Sequence, residues 1–109
     1  MRIVISAGPT REAIDPVRFI TNRSTGKMGY AIAAAARDMD LDVTLVSGPV
    51  NLTAPEGVDL VKVESAAEMA EAMKKAATNA DVIIMTAAVA DYRPRQYSTS
   101  KIKSPMTIW

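Results

Sequence analysis

Arg2-Ile3-Val4-Ile5-Ser6-Ala7-Gly8-Pro9 is a run of β-branched residues that ends abruptly in Gly-Pro. Such a run bounded by breakers reads as a strand followed by a turn. The same punctuation recurs downstream. Asp42 to Ser47, with Val43, Leu45 and Val46, closes on Gly48-Pro49, and residues 59–63 form a shorter strand. Residues 81–89 contain Val82-Ile83-Ile84-Met85, apolar without alternation, as expected of a strand covered on both faces. Between these strands lie helical stretches. Residues 26–39 place Met28, Ile32, Ala35 and Met39 on one face, and the alanine run 33–36 favours helix and close approach to a sheet. Residues 66–77 form a second helix with Met69, Ala70, Met73, Ala76 and Ala77 inward.

Strands alternating with helices predict a three-layer, Rossmann-like α/β fold: a mainly parallel sheet with helices on both faces. Ligands of such sheets bind beyond the strand carboxyl ends. That edge would gather Ala7 to Thr10, Ser47 to Pro49 and Thr86 to Asp91. Residues 92–105, rich in Pro, Ser and Thr with scattered Arg and Lys, read as a mobile loop, and Met106-Thr107-Ile108-Trp109 reads as a further strand's opening. The 109 residues are thus expected to be a single α/β domain truncated at about its midpoint.

Composition narrows the chemistry. The chain has no His and no Cys, and 13 basic against 12 acidic residues give a net charge of +1. These absences exclude thiol nucleophiles, Cys- or His-ligated metals and the Ser-His-Asp triad. What remains (Lys, Arg, carboxylates, amides, hydroxyls and backbone N–H) suits phosphate and nucleotide chemistry. Near-neutrality gives no footprint of a nucleic-acid binder. No apolar run is long enough to span a membrane, and no signal region precedes the first strand, so a cytoplasmic protein is expected.

Three segments are candidates for function. The connection from Gly8 to Thr25 ends in Asn22-Arg23-Ser24-Thr25-Gly26-Lys27 directly before a helix, where free N–H groups and the helix dipole favour an anion. The competing reading makes Ser24 or Thr25 an ordinary N-cap, and the two can coexist. It is not a Walker A loop, because Met28 follows Gly26-Lys27. The second segment, residues 85–93, has small residues that would let a flat ligand approach the backbone. Asp91 there either accepts hydrogen bonds from a base or ribose or merely starts a turn. The third is the basic loop with Arg93, Arg95, Lys101 and Lys103, either simply solvated or closing over a phosphate.

Residues 7–12 (Ala-Gly-Pro-Thr-Arg-Glu) and 14–29, including Asp15-Pro16-Val17-Arg18 and Thr21-Asn22-Arg23-Ser24-Thr25-Gly26-Lys27-Met28-Gly29, resemble the opening of bacterial phosphopantothenoylcysteine synthetase. Residues 43–49, 87–92 and 101–103 fit its later motifs in the same order. The resemblance covers nearly the whole chain and marks it as the N-terminal portion of the synthetase half of a coenzyme A biosynthesis decarboxylase/synthetase. It implies that 4'-phosphopantothenate attacks the α-phosphate of CTP, with Mg²⁺, and that the amine of cysteine then displaces CMP from the acyl-cytidylate. Residue by residue it implies that Asn22 and Lys101 are catalytic. It places Met85, Thr86, Ala87, Asp91 and Lys101 around the nucleotide. Gly8 is counted among the nucleotide-binding residues too, and Ser24, Thr25 and Gly26 fall at the phosphates, where the anion-site argument also puts them. A homodimer and fusion to the decarboxylase are implied too, with no metal held by a dedicated protein site. Ser104-Pro105 departs from the family's longer basic cluster.

Two other readings follow from the residues. One is a Rossmann-like NADP-binding module or reductase, supported by Tyr97 and Lys101 at the Y-x-x-x-K spacing, although Pro94, Pro105 and the missing glycine fingerprint oppose it. The other is a catalytically incomplete fragment.

Overall fold

The computed structural model describes residues 1–13, 19–21 and 24–88. Strand β1 (Arg2–Ala7) lies at the centre of a four-stranded sheet with β4 (Asp42–Ser47), β5 (Asp59–Lys62) and β6 (Val82–Met85). The order is β5-β4-β1-β6 and every pairing is parallel. β1 opposes β4 in the register Ile5↔Leu45 and β6 in the register Ile5↔Ile84. Helix α1 (Lys27–Asp38) leads from β1 toward β4, and α2 (Ala66–Ala77) leads from β5 back across the sheet to β6. The expected Rossmann-like α/β fold is therefore present. The chain's direction across the sheet reverses between β1 and β6.

Side chains alternate across the sheet as the pleat requires. Ile3, Ile5, Ala7, Val43 and Leu45 face α1 and meet Tyr30, Ala33 and Ala36. Val4 and Val46 face the other way and meet Met69 and Met73 of α2. Burial on both faces explains why these strands read as unbroken apolar runs.

The structure corrects five expectations. First, α1 is turned by one residue, about 100°, from the face its large apolar residues suggest. Its buried set is Gly29, Tyr30, Ala33 and Ala36, whereas Met28 and Met39 are 68% and 69% exposed and Ala35 is exposed. A helix pressed against a sheet is seated by its smallest residues. A Cβ on Gly29 would collide with the Ala7 side chain and lie 2.6 Å from Thr86 Oγ1. Second, Ala70 of α2 is exposed; Met69 and Met73 carry that face. Third, β6 is only partly covered on its two faces. Among the described residues it is an edge strand, with Val82 37% and Ile83 48% exposed, while Ile84 and Met85 join the two core clusters. Fourth, the segment between Gly8 and Thr25 contains an antiparallel pair, β2 (Arg11–Ala13) and β3 (Phe19–Thr21). Three residues per strand are too few for a period to show in the sequence. β5 also ends at Lys62 rather than at Val63. The expected loop at 92–105 and the terminal strand lie outside the described residues.

The end of α1 is closed by backbone alone. Leu41 N–H donates to Ala36 O at 3.2 Å and Asp40 adopts φ 61°, a left-handed exit more often made by glycine.

The seating of α1 predicts a contrast between its faces. Ala33→Leu should overpack the sheet and cost ~1–3 kcal/mol, whereas Met28→Ala and Met39→Ala should stay within ~0.5 kcal/mol of the parent. Urea unfolding of the three variants measures this directly.

Candidate functional site

The carboxyl ends of β1, β4 and β6 and the start of α1 meet at one place. Gly8 follows β1 and Gly26 caps α1, and both have left-handed backbone, φ 81° and φ 80°. A Cβ on Gly26 would stand 3.4 Å from Gly8 Cα, so the helix begins directly over the end of the strand. Val50 occupies the remaining space, its Cγ1 within 2.9 Å and 3.0 Å of the Cβ positions of Gly8 and Gly26. Side chains at these two positions would push α1 off the edge and strain the turn.

The β6 end is bonded to the same turn. Thr86 N–H donates to Ser6 O at 3.0 Å, Ala88 N–H to Gly8 O at 2.9 Å, and Thr10 N–H to Ala88 O at 3.1 Å. From the β4 side, Gly48 N–H donates to Ala7 O at 3.0 Å. The Tyr30 hydroxyl donates to Ser47 Oγ at 2.8 Å, and Ser47 Oγ donates to Gly48 O at 2.8 Å, within a buried network. Tyr30 thus fastens the first turn of α1 to the β4 turn.

The expected site residues separate into groups. Gly8, Ser24, Thr25 and Gly26 come together at the start of α1. Neither Ser24 nor Thr25 is the N-cap: Gly26 is, with no side-chain cap bond. The two hydroxyls accept instead from the N–H two residues on, Ser24 Oγ from Gly26 at 3.3 Å and Thr25 Oγ1 from Lys27 at 3.4 Å. Met85, Thr86 and Ala87 reach the same edge, but their side chains are partly engaged. Met85 and Ala87 pack on the α2 side of the core, and Thr86 Oγ1 donates to Ser6 O at 2.7 Å. Asn22, Asp91 and Lys101 lie outside the described residues.

The two helix N-termini differ in charge. The first turn of α2 is met by carboxylates: Ser65 and Glu68 form a capping box, and Glu12 Oε2 accepts from Ala66 N–H at 2.8 Å. The first turn of α1 carries no acidic residue and begins with Lys27. Reasoning from the sequence missed Glu12, the Tyr30–Ser47 bond and the capping box. Only the last has a local signal, Ser65-x-x-Glu68.

A groove of about 450 Å³ lies beside this edge, between the ends of β4 and β5. Arg11, Tyr30, Gly48, Val50, Lys62 and Glu64 are among its lining residues, whereas Gly8, Ser24, Thr25, Gly26, Met85, Thr86 and Ala87 are not. Among the described residues, no group of three or more His, Cys, Asp or Glu could hold a metal ion, and no helix is long and apolar enough to cross a membrane.

Residues 1–108 match the family model of the DNA/pantothenate metabolism flavoprotein C-terminal domain. The chain belongs to this family. It is 60% identical over 101 residues to the coenzyme A biosynthesis bifunctional protein CoaBC of Vibrio parahaemolyticus, a match covering 93% of this chain and 25% of that protein. The solved C-terminal domain of a CoaBC protein superposes with a TM-score of 0.82 at 61% identity, covering 86% of this chain and 48% of that one. A mutant of Cab2 solved in complex with phosphopantothenate-cysteine gives 0.75 at 16% identity, covering 94% of this chain and 49% of that one, a likeness of fold alone. The chain therefore spans about a quarter of the length of the curated relatives it matches.

The two-glycine contact yields a test. Gly26→Ala should cost ~1–3 kcal/mol of stability, through left-handed strain and contact with Val50. Thr25→Ala should cost less than ~1 kcal/mol. Thermal unfolding of both variants compares them.

Proposed function

We propose that this chain is part of a CTP-dependent phosphopantothenate–cysteine ligase, and that the start of α1 seats the nucleotide's phosphates. The observation that carries the phosphate site is the contrast between the two helix N-termini. Carboxylates already occupy the end of α2, whereas α1 opens at the sheet edge with no acid and with Lys27 in its first turn. A helix N-terminus left in that state favours a bound anion. It also lies near the reversal of the sheet between β1 and β6, where α/β sheets place ligands. Family membership and the coenzyme A biosynthesis proteins among the relatives support a reading within that biosynthesis.

In this reading the carboxylate of 4'-phosphopantothenate attacks the α-phosphorus of CTP. The bond to the bridging oxygen breaks and pyrophosphate leaves. The cysteine amine then attacks the acyl carbon of the resulting cytidylate, loses a proton and expels CMP, leaving an amide. The chain has no His or Cys to act as a nucleophile, and neither step requires one. Asn22, the residue after β3, would donate to the acyl oxygen as negative charge develops there. Lys101 would neutralise the triphosphate, and Asp91 would accept from the cytosine or ribose. The backbone at Met85, Thr86 and Ala87 would flank the base. Ser24, Thr25, Gly26 and Gly8 would line the phosphates.

The described residues provide no cage for Mg²⁺. The ion would enter as part of the nucleotide substrate, held by phosphate oxygens and water, as Mg²⁺ commonly is. A homodimer, a cytoplasmic location and fusion to a decarboxylase belong to the same proposal.

The test compares ligands on the chain itself. CTP with Mg²⁺ at 100 times its Kd should add ~2.7 kcal/mol of stability in thermal unfolding, and NADPH should add none. Stabilisation by NADPH and not by CTP would replace the ligase with a dinucleotide-binding module.

A further inference from the structure

Glu12 is a carboxylate of the β2–β3 pair that is only 8% exposed. A buried charge is costly unless it is strongly bonded. This one is bonded across 54 positions of sequence, its Oε2 accepting from Ala66 N–H at 2.8 Å. The helix it reaches does not lack a cap. Ser65 Oγ accepts from Glu68 N–H at 3.1 Å, and Glu68 Oε1 accepts from Ser65 N–H at 3.4 Å and from Glu64 N–H at 2.7 Å. The Glu12 bond is thus additional to capping, and its main structural effect is to hold the hairpin.

The hairpin is a separate two-stranded sheet, not an extension of the main one. Arg11 N–H donates to Glu64 O at 2.7 Å, and the Arg11 guanidinium lies 3.5 Å from the Glu64 carboxylate. Thr21 Oγ1 donates to Thr10 O at 2.8 Å, tying β3 back to the residue before β2. Within the pair Glu12 opposes Ile20 and Arg11 opposes Thr21. Asn22 follows Thr21 in the chain. A line of contacts therefore runs from the core through Met69 and Met73 to α2, from α2 through Glu12 to β2, and across the ladder to the residue preceding Asn22.

We propose that Glu12 is a positioning residue: by clamping the hairpin to the N-terminus of α2, it sets where the β3 end stands relative to the α1 turn. The proposal rests on the reading of Asn22 given above. It assigns Glu12 no contact with substrate. Its loss should therefore act on turnover and not on nucleotide affinity, since displacement of a reacting group by about 1 Å can cost ~10²-fold in rate.

The test uses the full-length protein that carries these residues and reads kcat and the KM for CTP. Glu12→Ala should lower kcat by ~10–10²-fold with the KM for CTP within about twofold, the signature of misplacement without lost binding. Glu12→Gln should keep kcat within about threefold, because the amide oxygen can accept the same N–H. Ser65→Ala, which weakens α2 from the other side of its cap, should lower the unfolding midpoint and leave kcat unchanged. Normal kcat in a folded Glu12→Ala protein overturns the proposal. So does a Glu12→Gln variant without turnover, which decides the matter even if the alanine variant does not fold. Equal kcat losses in Ser65→Ala and Glu12→Ala overturn it as well. Absence of CTP-dependent turnover in the unsubstituted protein overturns the ligase reading itself. Full turnover in Glu12→Ala with accelerated amide exchange at Arg11 and Thr21 overturns only the positioning role.

Discussion

The first turn of α1 lies on the end of β1 with almost nothing between them. Gly26 stands against Gly8, and Gly29 against Ala7 and Thr86. Much of the edge follows from this contact. It brings the positive end of the helix to the carboxyl side of the sheet. It places Tyr30 where its hydroxyl reaches Ser47, which fixes the turn after β4. It also leaves room for Val50 to close over the two glycines. Enlarging either side of the contact would move the helix, the turns and the electrostatic focus together.

The second organising feature is the distribution of carboxylates at the same edge. Both helices start there, because each lies on a crossover of the parallel sheet, α1 between β1 and β4 and α2 between β5 and β6. α2 has its N–H groups engaged by Glu68, Ser65 and Glu12. α1 has no acid in its first turn. A fold of this kind can bind an anion at either helix, and the placement of acids disfavours one of them. Glu12 serves two ends at once, completing the environment of α2 and fixing the hairpin that leads to Asn22.

Much of this was legible in the sequence, for definable reasons. Strands β1 and β4 and both helices declare themselves because burial on two faces and glycine–proline punctuation leave strong local patterns. Gly26 was found because it stands beside a predicted helix start, and Gly8 because it ends the first strand at the edge where such sheets bind ligands. The face of α1 was misread because hydrophobicity points to Met28 and Met39, whereas steric closeness selects Gly29, Ala33 and Ala36. β6 was misread because an apolar run does not reveal how much of each face is covered. The hairpin has strands of three residues, held by bonds such as Glu12 to Ala66 whose partners lie far apart in sequence. No local pattern encodes those. The capping box at Ser65 and Glu68 was readable by its spacing alone.

The central claim is that the α1 N-terminus, and not the neighbouring groove, receives the nucleotide's phosphates. Amide chemical shifts of the isotopically labelled chain titrated with CTP and Mg²⁺ test it most directly. Shifts concentrated at Gly8, Ser24 to Gly26 and Thr86 to Ala88 are the predicted result. Shifts confined to Lys62, Glu64 and Glu68 at the groove, or none at saturating nucleotide, would contradict it.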